Sequence, residues 1–154
     1  MMTAEAEALA MLGRHQEAAA TLRSLVDLTE RGLKGDDVGF WKEDAIPFAR
    51  SWVHGCAGDE KATATAREEV LRLAPEYSFQ MRTNVLLHHN LCVVRKGGVD
   101  EGIRHTTETL HTLPAQLRTN HILETARIVL RAVPPEQRAL PSVVELRKLL
   151  TTGA

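Results

Sequence analysis

Three side chains near the middle of the chain, His88, His89 and Cys92, have the types and spacing that suit metal binding or catalysis. On a helix His88 and Cys92, four apart, share a face, so two soft ligands would point the same way. No second pair at metal-ligand spacing lies near them, and the remaining cysteine, Cys56, is distant in sequence. A cysteine nucleophile also needs a lowered thiol pKa, an orienting group and an oxyanion site, and the sequence shows neither of the last two. It holds no phosphate-cradling glycine loop, serine elbow or clustered carboxylates. Gly97-Gly98 reads as a helix end that needs positive φ. The expectation is a non-catalytic protein with no cofactor or metal. A helical enzyme using the His88, His89 and Cys92 cluster is the less favoured alternative.

The element that must position these residues is part of a duplication. Arg82-Thr83-Asn84 recurs 36 residues later as Arg118-Thr119-Asn120, with Leu86 and Leu87 falling on Ile122 and Leu123 and Arg95 on Arg131. A period in the mid-thirties marks an array of helical hairpins, in which no unit buries its apolar face alone. Glycine and proline punctuation supports hairpins at about 3–31, 38–75, 79–114 and 117–150, forming one domain over 1–154. The stretch 34–39 reads as a loop, with Asp36 or Asp37 able to cap a helix from about 38 to 54. Pro47 would kink that helix unless Asp44 caps a new start and puts Pro47 in the first turn, which is the preferred reading. A short helix from Ser142 to Leu150 is expected to cap the array, and the threonine-rich helix from Val99 to about Leu113 to be held by packing rather than propensity.

First helices of such hairpins line a concave groove. The repeat register puts Ala45, Asn84 and Asn120 at one level of this wall and Phe48, Leu87 and Leu123 at the next. Trp52, Leu91 and Arg127 follow, then Cys56, Arg95 and Arg131, with His88 and Glu124 at the margin. Asparagines can hold a peptide backbone, arginines can pair with a carboxylate, and Trp52 and Phe48 can receive an apolar side chain. The candidate groove is therefore Phe48, Trp52, Asn84, His88, Leu91, Arg95, Asn120, Glu124, Arg127 and Arg131. Trp41, Ala45, Phe48 and Trp52 also read as an ordinary core stripe.

The segments Gly13-Arg14-His15-Gln16-Glu17-Ala18, followed by Leu22 and Leu25, and Gly98-Val99-Asp100-Glu101-Gly102, ending in Leu113-Pro114, resemble the turn and second helix of a tetratricopeptide repeat. That family places a small residue where the hairpin helices approach closely and a proline at the end of the second helix; Gly102 to Pro114 and Thr63 to Pro75 keep one interval. The first-helix half departs from the pattern, with Leu86, His89-Asn90 and Val93 at the characteristic positions. The tail from Arg127 to Leu150 resembles the carboxyl end of actinobacterial helix-turn-helix (XRE-type) regulators. The two resemblances together imply an all-α tetratricopeptide-like solenoid acting as the sensor or interaction region of a transcriptional regulator whose DNA-binding domain lies outside this chain.

Charge sets limits on partners. The net charge is −1, which lacks the basic footprint needed to grip a phosphate backbone, so no direct nucleic-acid contact is expected. Residues 1–77 carry −5 and residues 78–154 carry +4, an asymmetry able to steer an acidic partner or to dock two copies as a homodimer. No membrane contact is expected, since no apolar run approaches a membrane span and the amino end lacks a signal peptide. Two unpaired cysteines fit a reducing, cytoplasmic setting. The expected partner is a protein or peptide, or a small-molecule effector; a constitutive scaffold or dimerisation domain without ligand is the alternative.

Overall fold

Glycine and proline cut the chain into helices, and in this computed structural model, which describes residues 2–30, 44–76 and 78–152, there are eight α-helices and no strand among the described residues. They follow one another as pairs: α1 (Met2–Met11) with α2 (His15–Glu30), α3 (Ala45–Ala57) with α4 (Glu60–Leu73), α5 (Phe79–Arg95) with α6 (Val99–His111), and α7 (Asn120–Arg131) with α8 (Pro141–Thr152). The turn inside each of the first three pairs holds one residue in the left-handed region, and each is a glycine: Gly13 at φ 76°, Gly58 at 74° and Gly97 at 97°. A side chain there would cost about 1–2 kcal/mol, so these positions end one helix and let the chain reverse. Single 3-10 turns, Ala115–Leu117 and Pro135–Gln137, follow the proline breaks before α7 and α8.

Helix α3 starts at Ala45 with Asp44 at the N-cap position, but the Asp44 side chain makes no capping hydrogen bond. Pro47 is the third residue of α3, where the missing N–H has no helical partner to lose. The expected loop at 34–39, its candidate caps Asp36 and Asp37, and Trp41 lie outside the described residues. Asp59 caps α4 by accepting from the Ala62 N–H at 3.1 Å, and Thr119 caps α7 by accepting from Ile122. In threonine-rich α6 the buried Thr106 and Thr107 hydroxyls donate back to the carbonyls of Gly102 and Ile103. That removes the penalty of burying them but adds nothing to helix propensity, so α6 is held by its apolar contacts.

Packing runs along the chain from pair to pair. Helix α3 contacts α1, α2, α4 and α5; α5 contacts α3, α4, α6 and α7; α8 closes on α6 and α7. A main core runs from Ala6 and Ala10 through Trp52, Leu87, Leu91, Ile103 and Leu110 to Val129, Leu146 and Leu150, and a smaller cluster of Val70, Ala74 and Val85 sits where α4 meets α5. Two glycines mark its closest approaches. A Cβ on Gly55 of α3 would lie 2.6 Å from the His88 carbonyl of α5, and one on Gly102 of α6 would lie 2.8 Å from the Asn90 carbonyl. No helix among the described residues is long and apolar enough to cross a membrane.

Candidate functional site

The first helices of the four pairs, α1, α3, α5 and α7, lie side by side in that order. Where they meet they form a cavity of about 170 Å³, open to solvent on the side of Met11, His121 and Glu124. Helix α1 brings Glu7 and Met11, α3 brings Phe48 and Trp52, α5 brings His88, and α7 brings His121, Glu124, Thr125 and Ile128. The cavity is mixed in character, with two aromatic rings and aliphatic chains beside two imidazoles and two carboxylates.

His88 is its inner wall. Only 2% of the residue is exposed, and its ring sits 5.1 Å from Phe48 and 5.0 Å from Trp52, tilted against one and edge-on to the other. Ser51 of α3 fixes its tautomer. The Ser51 hydroxyl lies 2.7 Å from the Phe48 carbonyl and 2.7 Å from His88 Nδ1. A carbonyl oxygen cannot donate, so the single hydroxyl proton goes to Phe48, and His88 Nδ1–H donates to Ser51 Oγ. That leaves Nε2 as a lone pair, which has no hydrogen-bond partner among the described residues. Burial, with a smaller repulsion from His121, pushes the His88 pKa down to about 3, so the ring is neutral at physiological pH.

The other walls are fixed from outside the cavity. Trp52 Nε1–H donates to the Glu7 carbonyl at 3.3 Å, tying α3 to α1. Asn84 Nδ2 donates to the Gln80 carbonyl and to His121 Nδ1 at 2.9 Å, so His121 carries its proton on Nε2 when neutral. Glu124 accepts from Arg127 at 2.7 Å, and Arg127 also reaches the Leu150 carbonyl. The Glu7 carboxyl is half-buried, and desolvation raises its pKa above the usual carboxylate range.

Comparisons with known proteins leave the reading to this geometry. No family model matches the chain, and no curated protein or solved structure matches it.

Of the ten groove residues expected from the sequence, Phe48, Trp52, His88 and Glu124 meet at this cavity. Asn84 is fully buried behind it and acts on His121 rather than on open space. The expected wall position of Leu91 is corrected: it is fully buried in the core with Leu87, because α5 is flanked by four helices and presents no broad open face. Asn120, Arg95 and Arg131 are exposed and do not line the cavity. Arg127 stands behind Glu124 as its ion-pair partner, 30% exposed. Sequence reasoning missed Ser51, Glu7, His121 and Thr125. His121 carried a signal, standing next to the repeated Asn120; Glu7 carried none, lying in a helix outside the duplication.

The His88, His89 and Cys92 cluster is divided among different neighbours. His88 faces Ser51 and the cavity, whereas the Cys92 thiol is buried, interacts with Thr63 of α4, and has its pKa raised by desolvation. Cys56 is pushed up to about 12 by burial. Both thiols are the reverse of an activated nucleophile. Among the described residues no three histidine, cysteine or carboxylate side chains are close enough to hold one metal ion. Two larger depressions, of about 440 and 380 Å³, flank α3 on its α2 and α4 sides. Their shared lining residues are Arg50, which pairs with Glu69 at 3.9 Å, and His54, so their polar groups already have partners of opposite charge nearby.

Proposed function

We propose that this chain is a non-catalytic binding module, a tetratricopeptide-like solenoid of helical hairpins that senses a ligand at the cavity between its first helices. The observation that carries this reading is the cavity: four consecutive first helices converge on it, and a buried imidazole with one nitrogen unpaired is among its lining residues. The hairpin pairing, the tight approach at Gly102 and the terminal helix α8 support the repeat reading. The resemblance of the tail to XRE-type regulators supports a place as the sensor or interaction region of a transcriptional regulator in the cytoplasm. A ligand that bridges α1, α3, α5 and α7 favours one spacing of the pairs, and so shifts the population of an attached domain or partner towards the geometry that goes with it.

The test is to titrate the isotope-labelled chain with small molecules and short peptides while following backbone amide resonances. Shifts centred on Phe48, Trp52, His88 and Glu124 support the cavity. Shifts centred on Arg95 and Arg131 would move the site to the basic end of the groove. The alternative of a constitutive scaffold or homodimer draws on Met11 and Leu12, exposed at 60% and 72% where α1 turns into α2. Sedimentation over a range of concentrations separates it: a stable oligomer indifferent to every added compound favours the scaffold.

A further inference from the structure

We infer that the cavity takes a small organic ammonium ion, with the N–H donated to His88 Nε2, the positive charge set between Glu7 and Glu124, and the hydrocarbon part against Trp52 and Phe48. This rests on the binding-module reading above. Three independent observations converge on it.

The first is the tautomer. Because Ser51 gives its only proton to the Phe48 carbonyl, His88, a lining residue of the cavity, keeps Nε2 as an unpaired acceptor and has no donor left to offer. A ligand that completes this site brings an N–H or O–H; a carboxylate or phosphate would meet the lone pair with lone pairs of its own. The second is charge. The cavity lining includes two carboxylates and no lysine or arginine. Glu7 has no ion-pair or hydrogen-bond partner for its carboxyl among the described residues, and its desolvation is the kind that a bound cation relieves. The third is the surface. Trp52 and Phe48 line the cavity together with the carboxylates, a combination of aromatic and anionic groups that favours cations over neutral groups of the same shape.

Size narrows the source. A volume of about 170 Å³ is close to the ~150 Å³ engineered cavity that accepts benzene, and well below the ~300–1,000 Å³ of sites for drug-sized ligands. A cavity of this size holds a small amine whole, so we assign it a free small amine rather than a side chain of an extended peptide.

The experiment compares three probes of one shape, n-butylammonium, 1-butanol and propionate, by calorimetry and by long-range imidazole nitrogen spectra of the full chain. Butylammonium is expected to bind at least about tenfold more tightly than butanol, to shift His88 Nε2, and to lose about tenfold in affinity in E7Q or E124Q, while butanol binding in those variants is unchanged. Equal or tighter binding of butanol or propionate overturns the ammonium assignment and leaves the cavity as a binding site of another class. A lysine-containing peptide that binds more than about tenfold tighter than butylammonium overturns the free-amine assignment. Failure of all three probes to bind or to shift His88 overturns the assignment, and the amide titration above then decides the binding-module reading separately.

Discussion

His88 couples the cavity to the stability of the whole fold, and the coupling has a definite sign. An unfolded histidine takes up a proton near pH 6.5, whereas in the native chain burial delays uptake until about pH 3. Between those values the unfolded state binds more protons, so stability rises with pH across that interval. The contribution of a neutral His88 is present in full above pH 6.5 and is lost as pH falls towards 3. Charged and titratable groups face the ring from α1 (Glu7) and from α7 (His121 and Glu124). His54 and His89, lowered mainly by burial, and Glu7, raised by it, add slopes of their own.

Comparison of two proteins isolates His88. In H88F the ring keeps its packing against Trp52 and Phe48, its extra edge enters existing cavity space, and Ser51 still donates to the Phe48 carbonyl. At pH 7 the variant should lie within about 1–2 kcal/mol of the native chain. Moving from pH 7 to pH 4.5 covers about two of the pKa units over which His88 differs between states. At about 1.4 kcal/mol per unit, the native chain should lose roughly 2–3 kcal/mol more than H88F. Urea unfolding followed by circular dichroism at the two pH values measures this difference directly. If both proteins lose stability in parallel, His88 titrates like a solvated histidine, and its sealed position between Ser51, Phe48 and Trp52 is wrong.

Three further outcomes follow from the packing. In G55A the added methyl meets the His88 backbone carbonyl at 2.6 Å, which cannot swing away like a side chain, so unfolding experiments should show a loss of about 1–3 kcal/mol and disturbed His88 resonances. L91A should cost about 2–5 kcal/mol as a core cavity, whereas R95A and R131A together, on exposed positions, should stay within about 0.5 kcal/mol of the native chain. Cys56 and Cys92 should react with an aromatic disulfide reagent at pH 8 only at the rate of unfolding, since both are buried and their pKa values are raised.

The helices were legible where punctuation was strong. The limits expected for α5, and the start of α3 just after Asp44, agree with the structure because glycine turns and proline starts are local facts of backbone geometry. The expected groove wall was less legible because it was read from register alone. A register transfers side-chain direction from one copy to the next, but burial depends on how many neighbours each copy has. Helix α5 has four and buries Asn84, His88 and Leu91, while α7 leaves Asn120 and Glu124 exposed and Arg127 partly exposed at the corresponding positions. Ser51 was invisible for a different reason: a serine inside a helix has no distinctive spacing, and only the 2.7 Å approach of His88 gives it a role.

The duplication and the cavity are best understood together. His88 and Glu124 occupy equivalent positions in the two copies, and both line the same cavity. Had the copies remained alike, the site would have held either two imidazoles or two carboxylates. Two acceptors of one kind leave any ligand to supply all the donors, and two neighbouring carboxylates repel each other. The divergence instead sets a neutral acceptor on the interior helix, where desolvation is severe and only an uncharged group is cheap to bury. It sets the carboxylate on α7, where Arg127 and solvent share its charge. Exchanging the two residues, as H88E with E124H, would bury a carboxylate between Phe48 and Trp52, where only protonation would relieve the cost. That double variant should be destabilised by several kcal/mol at pH 7 and should recover stability as the pH falls, opposite to the native dependence on His88; urea unfolding at pH 7 and pH 4.5 reads the reversal. A double variant as stable at pH 7 as the native chain would mean that the two positions are equally solvated and that their difference in burial does not set their chemistry.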